Sequence, residues 1–242
     1  DTGGHSSMPP KNTALGIIAK AIVALESNPF PANLDYAANL FQNIGPAMQG
    51  VEKTIFANLW LTSPIVEYVL GQNKTTNATI RTTTAATMAS GSSKDNILPS
   101  QASAVVNFRI MPGESVDSTV SYVKEIIDNN IADHNIDVAV LGNFGNEPSS
   151  ISRTDTQGFE WIKSSILAVT KDKQLIVTPY LVTGGTDATH YSGLSDSIYR
   201  FAFNRFTPDT LSRMHGIDEQ IKVADYVDMI KFYRELILSA NQ

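Results

Sequence analysis

The sequence predicts an α+β fold: a two-layer sandwich with helices over one face of an antiparallel sheet, followed by the closing part of an α/β unit. Three observations predict it. Residues 1–145 read in the order helix, helical insertion, strand, strand, helix, strand, which is a two-layer sandwich short of one initial strand. Residues 146–242 read as helix, strand, tight loop, strand, long helix. About 95 residues with so few strands do not close a sheet of their own.

The elements follow in chain order. After Pro9 and Pro10, Asn12 is the expected cap of a helix whose apolar positions Leu15, Ile18, Ile22 and Leu25 recur at helical spacing. It stops at Ser27-Asn28-Pro29. Residues 34–70 hold two or three apolar, helix-compatible runs broken at Gly45-Pro46 and Ser63-Pro64, and read as a helical insertion. The threonine-rich run from Asn77 to Met88 suits a partly solvated strand. Ala102, Ala104, Val106, Phe108 and Ile110 alternate with polar residues, Val105 excepted, as a strand buried on one face does. Met111-Pro112-Gly113 turns the chain, Ser115 caps, and Val116, Val120, Val123 and Ile127 form the stripe of a second helix. Ile136 to Leu141 reads as a short strand, and Asn143 to Pro148 as a linker.

Beyond the linker, Phe159, Ile162, Ile166 and Val169 mark a helix, and Leu175 to Val182 a strand. Thr183 to Asp187 forms a tight loop, Ile198 to Phe203 a further strand, and Val223, Val227, Ile230, Tyr233 and Leu236 the stripe of a long final helix.

A chain of 242 residues, 42% hydrophobic and 17% charged, has the material for a core. Its net charge of −6, with no cluster of basic residues, argues against nucleic acid or an anionic membrane as partner. Without cysteine there is no thiolate metal site, disulfide or cysteine nucleophile. No stretch reaches the roughly 20 apolar residues a membrane span needs, so the chain reads as soluble. It opens on Asp1 without an initiator methionine, and is expected to begin downstream of the start of translation.

Four histidines are the candidates for chemistry. His134, between Asp133 and Asn135, reads as a solvated loop residue. His5 stands on the glycine-rich approach Gly3-Gly4, held afterwards by two prolines; it is either aimed at a ligand or part of a turn before a helix. Gly184-Gly185-Thr186-Asp187 follows an apolar strand and either presents backbone amides to an anion or caps a helix. His215, before Gly216, Asp218 and Glu219, is either a zinc ligand or a loop residue ahead of helix-terminal charges. A catalytic zinc needs about three protein ligands. No other histidine stands at His-x-x-x-His spacing from His215, and no Glu-Glu, His-x-Asp or Asp-Asp pair occurs, so this chain alone does not hold the whole site. Serine catalysis is set aside, because Ala89-Ser90-Gly91-Ser92-Ser93 is not a nucleophile elbow and reads as a polar loop.

Taken in order, Gly4-His5-Ser6-Ser7-x-Pro9, Asn96-Ile97-Leu98-Pro99, Arg109-x-x-Pro112-Gly113, Gly185-Thr186-Asp187 and His215-Gly216-x-x-Glu219 resemble the signatures of the zinc-dependent aminoacylase and carboxypeptidase superfamily. With Ile198-Tyr199-Arg200-Phe201 and the insertion, the chain looks most like the branch of carboxypeptidase S and the secreted N-fatty-acyl amino acid hydrolases. That resemblance implies a ferredoxin-like lid that dimerises, then the C-terminal portion of a zinc-hydrolase catalytic domain whose upstream half, with most metal ligands, is elsewhere. It implies two zinc ions, with His215 as the one ligand here, and His5 as a lid histidine that stabilises the oxyanion in the partner subunit's site. It implies that Asn96 contacts substrate and that Gly184, Gly185 and Thr186 line the substrate-carboxylate end. Arg109 either binds a carboxylate or supports its sheet. Many relatives place an arginine soon after the Gly-Thr-Asp motif, where this chain has Ala188-Thr189-His190; His190 is either a substitute or a helix-surface residue.

The expected function is metal-dependent hydrolysis of an amide bond in a peptide or N-acyl amino acid by the intact homodimer, the chain alone being inactive. The alternative is a dimerisation or ligand-binding module without turnover. The branch resemblance also implies a secreted or periplasmic location.

Overall fold

The computed structural model describes residues 1–142, 145–172 and 174–241, and it divides into two compact units, Asp1–Ala38 with Gly50–Ser150, and Asn39–Gln49 with Ile151–Gln242. The fold is mixed α+β.

In the first unit, a two-residue strand β1 (Gly4–His5) precedes α1 (Ala14–Ser27). Thr13, not Asn12, caps α1: its hydroxyl accepts from Gly16 N at 3.1 Å, while Asn12 Oδ1 is taken by Lys20 Nζ at 2.6 Å. The buried face is also one step round from the expected stripe. Ala14, Ala21, Ala24 and Leu25 are buried whereas Leu15 is exposed, because small alanines let the helix approach its neighbours closely.

The insertion is helical: α2 (Asp35–Ile44), a 3-10 turn (Gly45–Ala47), α3 (Gly50–Ala57) and α4 (Leu59–Gly71). Gly45-Pro46 interrupts as expected, but α4 runs through Pro64. One missing amide removes a single ladder bond, and the helix tolerates it. The strand expected from Asn77 begins late. A short helix α5 (Lys74–Asn77) and a turn precede β2 (Thr83–Ser90), because Arg81 and Thr82 are buried and spent on other partners. Arg81 donates to Phe30 O and Glu67, while Thr82 Oγ1 donates to Glu114 and accepts from Met111 N.

Strand β3 (Ile97–Leu98) pairs antiparallel with β1, and β4 (Ser103–Arg109) pairs antiparallel with β2 through a bulge between Ala86 and Met88. The alternation holds in β4: Val106 and Phe108 turn toward the core, while Asn107 and Arg109 are exposed. Helix α6 (Val116–Asn130) starts at Ser115, whose side chain and that of Ser118 cap one another's backbone amides. Val116 N also donates to the Glu147 carboxylate at 3.1 Å, which ties the linker back to the positive end of the helix. Asn143 and Phe144 of that linker lie outside the described residues.

The core of this unit lies between α1 and α6, with Ala21, Ala24, Leu25, Val123, Ile126, Ile127 and Ile131 buried and Val106, Phe108, Ile136 and Val138 packed against them. The segment 136–141 corrects the expectation of a strand: among the described residues it joins no ladder.

In the second unit, α7 (Gln157–Thr170) and α9 (Val223–Ala240) pack together, with the short α8 (Pro208–Ser212) between them in sequence. Ile166, Phe203 and Phe232 form the core. Phe203 stacks on Phe232 at 5.3 Å between centroids, and Phe201 meets Phe232 edge-on at 5.2 Å. Neither 175–182 nor 198–203 forms the expected strand, since among the described residues neither has a ladder partner. The buried side of α9 also differs from the expected stripe. Asp225 and Phe232 are buried, with Met229 and Leu236 against the core, so Val223, Val227, Ile230 and Tyr233 are exposed. Asp225 is held by Arg205, which also reaches Asp228.

Candidate functional site

Two candidate residues more than ninety positions apart meet in the first unit. The β1–β3 ladder sets His5 opposite Ile97, and Ser6 N donates to Asn96 O at 3.1 Å. The approach needs glycine: Gly3 has φ +68°, and a Cβ there would lie 3.0 Å from Leu98 O. Gly4, at φ +144°, is likewise in the region that favours glycine.

The ring of His5 is oriented by the residue two places on. Its Nδ1 accepts from Ser7 N at 3.2 Å and lies 2.9 Å from the Ser7 hydroxyl. A backbone amide only donates, so in this contact Nδ1 is the acceptor, which leaves Nε2 as the ring nitrogen that can donate. His5 and Asn96 are both exposed. The arrangement leaves Nε2 of an exposed imidazole one ladder position away from an exposed amide. The involvement of Ser7 was not drawn from the sequence, although Ser7 belongs to the motif around His5.

Arg109 stands elsewhere. It is exposed at the far end of β4, opposite Thr83, six residues beyond Ser103, or about 20 Å along an extended strand. The structure does not bring it to His5 and Asn96. Ser90 is in β2 rather than a loop, and its hydroxyl pairs across the ladder with that of Ser103 at 2.8 Å. His134 is not a solvated residue: its side chain is 16% exposed, Nε2 lies 3.1 Å from Asp128 Oδ1, and Nδ1 accepts from Ile136 N. It closes the end of α6, a role that the neighbouring polar residues concealed.

In the second unit, Thr186 caps a 3-10 helix (Asp187–Tyr191), its hydroxyl accepting from Ala188 N at 3.3 Å and from Arg200 Nε at 3.2 Å. Arg200 thus brings the Tyr199-Arg200-Phe201 segment to the loop. At Gly184 and Gly185 an added Cβ would meet nothing within 4 Å. The glycines leave the backbone of an exposed loop open to close approach. His190 is exposed on the 3-10 helix.

His215 is exposed in a tight turn, Gly216 N donating to Arg213 O at 2.8 Å, and its φ of +59° is unusual for a residue with a side chain. Asp218, three residues on, has φ +61°. Among the described residues no three His, Cys, Asp or Glu side chains gather as a metal-binding group. The residues here therefore do not fit a metal pair by themselves. No helix among the described residues is long and apolar enough to cross a membrane.

A family model described as the peptidase dimerisation domain matches residues 1–135. An N-fatty-acyl-amino acid synthase/hydrolase of Bos taurus is 37% identical over 250 residues, covering 99% of this chain and 47% of its own length. A probable carboxypeptidase S-like protein of Dictyostelium discoideum is 35% identical over 240 residues, 99% of this chain and 45% of its own. Carboxypeptidase S of Saccharomyces cerevisiae is 28% identical over 275 residues, again 99% of this chain and 47% of its own. The chain spans just under half the length of these curated relatives.

Proposed function

This chain belongs to the peptidase dimerisation domain family, and from that premise we propose that the intact protein hydrolyses an amide bond in a peptide or an N-acyl amino acid. Residues 1–145 serve as a ferredoxin-like lid and homodimer contact, and residues 146–242 as the C-terminal portion of an α/β catalytic domain. The relatives' names include both carboxypeptidases and N-fatty-acyl-amino acid hydrolases. The second unit supports its part of this reading. Its segments 175–182 and 198–203 have no ladder partner among the described residues, and the apolar residues Val223, Val227, Ile230 and Tyr233 stay exposed along α9. Both features suit a unit that packs against further sheet and helix.

The single observation that carries the reaction is the fixed ring of His5. Attack on an amide carbonyl turns its oxygen into an oxyanion, and a preformed N–H donor matters most where that charge develops. Nε2–H of His5 is such a donor, delivered by the lid to the partner subunit's site. Asn96, beside it, contacts the substrate. Gly184, Gly185 and Thr186 receive its carboxylate, and Arg109 supports the sheet. Two zinc ions belong to this reading. His215 is assigned as one ligand, and the others are assigned to the polypeptide outside these residues.

In the intact protein, His5→Ala is expected to lower kcat by about 10²- to 10³-fold, the loss typical of one oxyanion donor, with KM little changed. Unchanged turnover would remove His5 from the mechanism.

A further inference from the structure

We infer that Arg200 is the cation that holds the substrate's carboxylate, with the Thr186 hydroxyl as the donor beside it. The inference rests on the proposed role of Gly184, Gly185 and Thr186 at the carboxylate end, and adds the charged residue that this role requires.

The loop by itself has the wrong charge for an anion. From Thr183 to Tyr191 it holds no lysine or arginine, and its one formal charge, with histidine neutral, is the negative Asp187. A carboxylate brought to it needs a positive charge from elsewhere in the chain, because like charges at close range repel. Arg200 supplies that charge. Its Nε donates to Thr186 Oγ1 at 3.2 Å, fourteen residues away along the chain. A guanidinium has five N–H donors, of which this bond uses one, and its planar fork matches a carboxylate in shape as well as in charge. The unit's other arginines, Arg153, Arg205, Arg213 and Arg234, each stand within 3.1 Å of an acidic side chain and serve ion pairs of their own.

Both groups are held in place before any ligand arrives. Ala188 N donates to Thr186 Oγ1 at 3.3 Å, alongside the bond from Arg200. A hydroxyl has two acceptor positions and one hydrogen. The two contacts fill the acceptor positions, and the hydrogen is what Thr186 has left to give. Just ahead of Arg200, Ile198 is fastened to Ser152 by two bonds: Ile198 N donates to Ser152 Oγ at 2.8 Å, and Ser152 Oγ donates to Ile198 O at 2.9 Å. Tyr199 Oη donates to Arg153 O at 2.6 Å. These contacts fix the base of the arginine, and a side chain already fixed at its base loses less freedom on binding.

The test measures the intact protein on N-dodecanoyl-leucine and on N-dodecanoyl-leucinamide, which differ only at the carboxylate. The unmodified protein is expected to favour the acid by roughly ten- to a hundredfold in kcat/KM, as a charge-assisted contact does. Arg200→Gln keeps an N–H for Thr186 and removes the charge. It is expected to raise KM for the acid by roughly the same factor, with kcat for the acid and kcat/KM for the amide changed by no more than about threefold. Arg200→Lys keeps the charge without the fork and should fall between, while His190→Ala should keep the whole preference. If Arg200→Gln does not fold, as read by circular dichroism, Arg200→Lys decides: an undiminished preference for the acid overturns the proposal. A folded Arg200→Gln that loses equally on both substrates, or that still prefers the acid, overturns the anchor and leaves the role of the loop standing. No preference in the unmodified protein overturns that role and the inference with it. A preference lost in His190→Ala instead assigns the anchor to His190 and also overturns the proposal.

Discussion

Where a histidine acts as a hydrogen-bond donor, the contact made by its other nitrogen decides what it can do, and in His5 that contact is with Ser7. The amide and the hydroxyl of Ser7 both face Nδ1, but only the amide fixes the tautomer. Ser7→Ala is therefore expected to leave the hydrogen on Nε2, as read by nitrogen NMR of the imidazole. It should lower kcat of the intact protein by roughly two- to tenfold, since a neutral hydrogen bond contributes about 0.5–1.5 kcal/mol. A change of tautomer, or a loss as deep as that of His5→Ala, would show that the hydroxyl sets the ring. The glycines before His5 and the prolines after it were legible in the sequence as a turn, with a ligand-aimed histidine and a plain turn before a helix both left open. The tautomer was not, because it depends on a close contact that spacing alone does not specify. His134 was misread for the same reason: its polar neighbours suggested water, and Asp128 and the Ile136 amide take its two nitrogens instead.

Helices were legible wherever the period was strong, but the side they bury was less so. α1, α6, α7 and α9 all stand where the spacing places them, yet α1 and α9 turn a different face inward. In α9 the core contact is Phe232, 1% exposed, while Ile230 is 56% exposed. Phe232→Ala in this chain is expected to cost about 3–5 kcal/mol, as loss of a buried aromatic ring does, whereas Ile230→Ala should be within about 0.5 kcal/mol, as at an exposed site. Chemical denaturation of the two variants checks this, and equal destabilisation would restore the stripe read from the sequence. A periodic pattern marks every apolar side of a helix, including one that meets no neighbour within these residues. Strands suffered more. Ile136 to Leu141, Leu175 to Val182 and Ile198 to Phe203 have strand composition, but a strand exists only with a ladder partner, and none of the three has one among the described residues.

At the scale of the whole molecule, the ordered motifs identified the family from sequence, and the small β1–β3 ladder adds the geometry that joins His5 to Asn96. The metal centre was not legible in the same way. His215 is a single imidazole in a turn, and no group of metal-ligating side chains surrounds it among the described residues. In the proposed function the lid and the catalytic portion serve different active sites of one homodimer, with the two-fold symmetry supplying each site with the other subunit's histidine. Mixing subunits of the intact protein tests this most directly. One set carries His5→Ala, the other His215→Ala, and each homodimer is expected to be nearly inactive. After exchange, half the dimers are mixed and each contains one complete site, so activity should return to about a quarter of the unmodified level, as two-fold pairing at random requires. A mixture no more active than the two homodimers together would contradict a histidine acting across the interface.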